Sequence, residues 1–204
     1  MTPRPIIDAG PALNFLSINK ERLLLSVTGP ISTPETVRDE VLAKSHRDPR
    51  FRAVEKVWKK IPGRLLEILP DDPTPELLSA LERITRQPWG QRLSTAKDLG
   101  ETMVVAHAVV LAEAGQRVRV IIDDRGGAEL ATNEIRRLDR LRTTGRASGS
   151  IVLVNTVTIL EKAAGTEYLP DKQAMRELYD RLRGCDDGLL PIQQTQLLST
   201  HLWQ

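Results

Sequence analysis

The chain is expected to fold as an α/β domain of three layers, α/β/α, around a central parallel sheet of four to five strands. Three observations predict this. Short, mainly apolar runs at 6–7, 118–122 and 151–154 read as strands buried on both faces. Segments with helical spacing of apolar residues alternate with these runs, as crossover connections between parallel strands require. Two of the runs also end in aspartate: Pro5-Ile6-Ile7-Asp8 before Ala9-Gly10-Pro11, and Val118 to Asp124 before Arg125-Gly126-Gly127. In open α/β sheets function gathers outside the carboxyl ends of the strands.

The elements follow in order. After the strand at Ile6, Pro11 sits near the start of a helix carrying Leu13, Phe15 and Leu16 and, further on, Leu23 to Leu25. Gly29 to Ser32 reads as a short strand or turn. Thr33-Pro34 reads as a helix start, because Thr can cap and Pro suits the first turn; that helix should run to about Lys44. Residues 46–91 are irregular, punctuated by Pro62, Pro70, Pro73 and Pro75, and read as a helical insertion on one domain. Neither part is large enough to bury its own core. Asp98 to Glu101 has capping-box spacing before a helix with Val104, Val105, Ala108 and Val109 on its apolar face. The strand from Val118 follows, then a helix from Ala128 to about Leu141 and a strand at 151–154. Helices over 155–164 and 171–183 close the chain, the stretch 165–204 forming a C-terminal helical extension.

Composition narrows the class. The 204 residues are 40% hydrophobic and 27% charged, which fits a folded domain. Aromatics are 3%, too few for rows of stacking side chains along a single strand. A net charge of +2 selects no partner. The lone Cys185 excludes an internal disulfide framework and most cysteine zinc sites. It fits a reducing compartment, and no apolar run approaches the roughly 18 residues of a membrane span. No secretory signal pattern opens the sequence. A cytoplasmic location is the expectation.

Four acidic positions stand out. Asp8 and the Asp123-Asp124 pair lie at strand ends. Glu101 opens the helix before the second of these strands. Helices in βαβ units run antiparallel to the strands, so its N-terminus should share their carboxyl edge. Glu40 flanks the apolar face of the helix begun at Thr33-Pro34. Carboxylates gathered there would repel one another unless a cation held them. Ordinary alternatives exist for each: a capping box for Glu101, a solvated helix face for Glu40, Asx turns for the aspartates.

These residues also resemble a family. Ile7-Asp8-Ala9-Gly10-Pro11-Ala12-Leu13 is similar to the opening of PIN-domain proteins of the D-x-G-P branch. Ser32 to Val41 resembles their P-x-x-V-x-x-E segment, and Leu99-Gly100-Glu101 with Ala106 and Ala108 resembles their third acidic motif. Ile121-Ile122-Asp123-Asp124-Arg125 with Ala128 and Ala131 looks like D-D-R-x-A, and Thr156 to Ala164 like the following helix. The match spans about 5–165 in one order. The stretch 46–91 is longer than in compact members, and Gly10 stands where many nuclease members carry Ser or Thr.

The resemblance implies a metal-dependent endoribonuclease, often the toxin of a toxin–antitoxin pair. Two Mg²⁺ or Mn²⁺ ions can activate water and neutralise a phosphodiester, so no protein nucleophile is needed. It implies Asp8, Glu40, Glu101 and Asp124 as catalytic residues, with Asp8, Glu101 and Asp124 as core metal ligands. Glu40 would serve a second ion, and Asp123 would be a ligand or a close support. RNA phosphates would meet the basic run at Arg136, Arg137 and Arg140. The expected partners are RNA and a small antitoxin protein, with room for a homodimer and none for a membrane. The alternative reading is a non-catalytic PIN-like module that binds RNA or protein.

Overall fold

A computed structural model describes residues 3–87, 98–146 and 149–203. Five strands make one all-parallel sheet: β1 (Ile6–Ile7), β2 (Ile31–Pro34), β3 (Leu66–Leu69), β4 (Arg117–Ile121) and β5 (Ser150–Val154). Their order is β3-β2-β1-β4-β5. The helices between and after them are α1 (Ala9–Ser17), α2 (Glu21–Thr28), α3 (Glu35–Arg47), α4 (Val54–Trp58), α5 (Pro75–Thr85), α6 (Leu99–Glu113), α7 (Arg125–Thr143), α8 (Thr156–Ala163) and α9 (Lys172–Arg183). The arrangement is the expected three-layer α/β/α fold.

β1 is only two residues long, yet it is the centre. Ile6 pairs with Ser32 on one side and Val120 on the other, and Ile7 with Ile121. From β1 the chain moves outward through β2 and β3, then crosses back to β4 and β5. Strand order therefore reverses between β1 and β4, where an open α/β sheet forms a crevice at its carboxyl edge. α6 makes the crossing. Met103 to Ala106, Ala108, Val109 and Ala112 are wholly inaccessible to solvent. A helix apolar nearly all round belongs inside a layer, and α6 packs between α5 and α7 against β4. On the opposite face, Val27 of α2 and Ile159 of α8 meet over Arg119 and Ile121 of β4.

Several local expectations change. The apolar run from Leu13 to Leu25 makes two helices, because Asn19 takes a left-handed conformation (φ 56°) and Lys20 N donates back to Phe15 O. Thr33 does not cap α3. It stays in β2, where its hydroxyl donates to Ile7 O at 3.0 Å. The stretch from 46 is not an insertion of helices alone: Leu66–Leu69 is β3, in register with Ile31–Pro34. An edge strand between prolines with only Leu66 buried leaves almost no apolar signal. Residues 88–91 of that stretch lie outside the described residues. α5 begins with Thr74 accepting from Leu77 N and Pro75 in the first turn. In the C-terminal extension, α9 buries Met175, Leu178, Tyr179 and Leu182 along one stripe, and two 3₁₀ turns follow at Ile192–Gln194 and Thr200–Trp203. No helix among the described residues is long and apolar enough to cross a membrane.

The entry to β5 is sterically closed. A Cβ on Gly149 would overlap Ala112 O and come within 2.6 Å of Gln116 O, both backbone atoms that no rotamer can move. Gly149→Ala is expected to cost about 2 kcal/mol or more. A urea titration should show a lower midpoint at unchanged slope.

Candidate functional site

β1 ends one residue before Asp8, and β4 ends two before Asp123. Asp8 N donates to Ile121 O at 3.0 Å, which continues the ladder and sets both strand exits side by side. Asp8 is 4% exposed, and its Oδ1 has no hydrogen-bond partner. Burial pushes its pKa up to about 7, with Glu40 and Asp123 adding to the shift and the backbone amides of Ala9 and Gly10 opposing it.

α3 and α6 bring the glutamates to the same edge. α6 opens without a capping box: Asp98 is left-handed (φ 58°) and makes no side-chain cap bond. Glu101 is thus free of the capping role that its spacing suggested. Its pKa also rises to about 7, through burial first, then Asp124, Asp8, Asp98 and Glu40. Glu40 is exposed as a residue, but its carboxyl tip lies against Gly100. Desolvation there raises its pKa, while Lys44 pulls the other way. A Cβ on Gly100 would sit 2.8 Å from Glu40 Oε2 and 3.9 Å from Asp8 Oδ1. Gly126 and Gly127 serve similarly on the far side, where Cβ atoms would lie 3.0 Å from Asp124 Oδ2 and 3.2 Å from the Glu101 stem. Bare backbone lets four carboxylates share one space.

Asp124 caps α7, Oδ2 accepting from Gly126 N and Gly127 N at 2.5 and 3.3 Å. This fixes its orientation and engages one of its two oxygens. Of the two roles open to Asp123, ligand or close support, its hydrogen bonds suit the second. Its Oδ1 accepts from Thr156 N at 2.7 Å, and its Oδ2 from Thr156 Oγ1 at 2.6 Å and Asn14 Nδ2 at 3.2 Å. Both oxygens are occupied, so Asp123 is a support that ties the start of α8 to the crevice. Asn14, 1% exposed, also donates to Asp186 Oδ2 at 2.7 Å. Neither Asn14 nor Asp186 was singled out in the sequence, for their partners lie far away along the chain.

The oxygen-only donor set, with one buried oxygen unpartnered, fits a hard divalent ion such as Mg²⁺ or Mn²⁺. Asp8, Glu101 and Asp124 would hold it, with Glu40 alongside. The spacing is not preset: among the described residues no three His, Cys, Asp or Glu side chains are already placed to hold a metal ion.

The basic run does not meet this site. Arg137 is committed to Glu113 and Glu134 at 2.5 and 2.7 Å, in a network with Arg83 that joins α5, α6 and α7. It is structural, not a free phosphate contact. Arg136 and Arg140 are exposed, but α7 carries them about 18 and 24 Å from Asp124 at 1.5 Å per residue. Cations closer to the carboxylates come from elsewhere. A cavity of about 630 Å³ abuts Asp124, and Lys44, Arg50 and Arg125 line it. Lys44 and Arg50 both lie over the Phe51 ring, at 5.4 and 5.5 Å from its centre. Comparison with known proteins found no matching family model, no matching curated protein and no matching solved structure.

Two outcomes follow from this geometry. Asp8 and Glu101 have folded pKa values raised to about 7 above the ordinary 3.8 and 4.5. An acid raised in this way binds more protons folded than unfolded between those limits. Its neutral form therefore favours folding fully below about pH 4, and that advantage is lost as pH rises to 7. Without divalent ions, Asp8→Asn is expected to melt near wild type at pH 4 and increasingly above it towards pH 7.5; parallel melting curves would remove the argument. Gly100→Ala should push against side chains only, the Glu40 tip first and the Val37 methyl at 3.3 Å. Stability should then change by less than about 1 kcal/mol, while Mn²⁺ affinity by calorimetry falls.

Proposed function

We propose that this protein is a divalent-metal-dependent endoribonuclease of the PIN type, hydrolysing RNA phosphodiester bonds. One observation carries the reading: the buried, unpartnered Oδ1 of Asp8 faces Glu40 beside Gly100, with Glu101 and Asp124 completing an all-carboxylate edge at the β1–β4 switch point. Such a grouping is costly unless a cation compensates it. Mg²⁺ or Mn²⁺, when bound, would activate water and neutralise charge on the phosphate. Asp8 would anchor that ion from the rigid centre of the sheet. Asp124, oriented by the first turn of α7, would face it from the other strand. Glu101 and Glu40, on longer stems, would close around it. Asn14 and Thr156 hold Asp123 and through it the strand exit.

The resemblance in motif order extends the proposal to a toxin with a small antitoxin partner. The role would be tested by co-expression with the neighbouring reading frame. The primary test is cleavage of a labelled RNA in Mn²⁺ or Mg²⁺, with EDTA and Asp8→Asn as comparisons. EDTA should abolish cleavage, and Asp8→Asn should lower it by about 100-fold or more while circular dichroism stays unchanged. RNA that binds without being cut under any metal would favour the non-catalytic module.

A further inference from the structure

The helix that carries Glu40 has no cap of its own. Pro34 stands at the cap position of α3 and makes no side-chain bond there, and the Thr33 hydroxyl is engaged with β1. The first amides of a helix still need a partner. It comes from the far side of β3. Asp71 Oδ2 accepts from Thr36 N at 2.7 Å and from Thr36 Oγ1 at 2.6 Å. In return, Glu35 Oε2 accepts from Asp71 N at 3.3 Å. The exchange is reciprocal, as in a capping box, but it joins two segments 35 residues apart.

The second oxygen of Asp71 reaches another helix. Oδ1 meets His107 Nε2 of α6 at 3.0 Å, and both side chains are only 14% exposed. Burial pushes the Asp71 carboxyl up, but the His107 ring and the two Thr36 donors outweigh it and hold the group below its usual range. An ionised carboxylate can only accept, so His107 Nε2 carries the proton. Thr36 and Glu40, four residues apart, share a face of α3. Glu40 and Val37 lie against Gly100 at the start of α6. His107 stands about 10 Å further along that helix, at 1.5 Å per residue. The turn from Thr36 to Glu40 is thus tied to α6 at both ends. We propose that Asp71 and His107 are positioning residues, a clamp that holds this turn of α3 against α6 and aims Glu40 at the ion site of Asp8, Glu101 and Asp124. The inference rests on the metal-site reading above.

Mn²⁺ calorimetry tests it on wild type, His107→Leu, His107→Gln, Glu40→Gln and the double variant of His107→Leu with Glu40→Gln. His107→Leu should weaken Mn²⁺ binding about tenfold, as loss of a group behind a metal ligand does. His107→Gln keeps an N–H donor and should recover most of that loss. With Glu40→Gln already present, His107→Leu should add little, because the residue it acts through is gone. Thr36→Val removes one donor to Asp71 from the α3 side. It should weaken binding in the same direction by less, and it stands in for His107→Leu should that variant not fold. Unchanged affinity, no recovery with Gln, or an equal loss with and without Glu40→Gln would overturn the clamp and leave the metal site standing. If wild type binds no Mn²⁺, the metal reading falls, and amide hydrogen exchange decides the clamp. Faster exchange from Thr36 to Glu40 in His107→Leu supports it, since His107 belongs to α6; unchanged exchange there overturns it.

Discussion

A carboxylate buried at the end of the central strand, with one oxygen unmatched, is the constraint around which the rest is arranged. β1 is too short to be positioned by its own pairing, and Asp8 sits where that pairing stops. An isolated ionised carboxylate there is unfavourable, and among the described residues no lysine or arginine pairs with it. The fold adds further acids: Glu40 from α3, Glu101 from α6 and Asp124 from the start of α7. Glu40 adds to the cost of ionising Asp8, and Asp124, Asp8 and Glu40 add to that of Glu101. That pattern makes little sense as a device for stability.

Support for the acidic edge comes from Asn14 and Thr156. Asn14 bridges Asp123 and Asp186, so α1, β4 and the C-terminal segment meet through one buried amide. Thr156 fixes the same aspartate from α8 through both its backbone N–H and its hydroxyl. A satisfied polar network of this kind rigidifies its surroundings, because each member is costly to leave unpaired. The distinction between Asp123 and Asp124, neighbours in sequence, is set by that network: one aspartate is consumed by it and the other is left at the edge.

The acidic edge was legible in the sequence because handedness alone carries strand ends and the start of α6 to one side of the sheet. Glu40 was legible from its place beside the apolar face of its helix, and the motif added to that. What escaped depended on partners distant along the chain. Nothing local told Asp123 that Thr156 and Asn14 would take its oxygens, or Arg137 that Glu113 and Glu134 would claim its guanidinium. β3 was missed because an edge strand with one buried residue lacks periodicity. The capping-box spacing at Asp98 and Glu101 misled for a backbone reason: Asp98 turns left-handed, so its side chain cannot cap. The cavity draws its walls from α1, the end of α3 and the C-terminal segment, a juxtaposition no single stretch encodes.

The two-residue strand at the sheet's centre has a consequence for biosynthesis. Ile6 and Ile7 gain their second neighbour only when Val120 and Ile121 exist to pair with them. A chain emerging from the ribosome can form α1, α2 and the β1–β2 contact while the other flank of β1 still faces water. Non-local pairing of this sort is slow and leaves strand edges open meanwhile. The acidic edge is therefore assembled late, after more than half of the polypeptide has been made, because Asp123 and Asp124 follow β4.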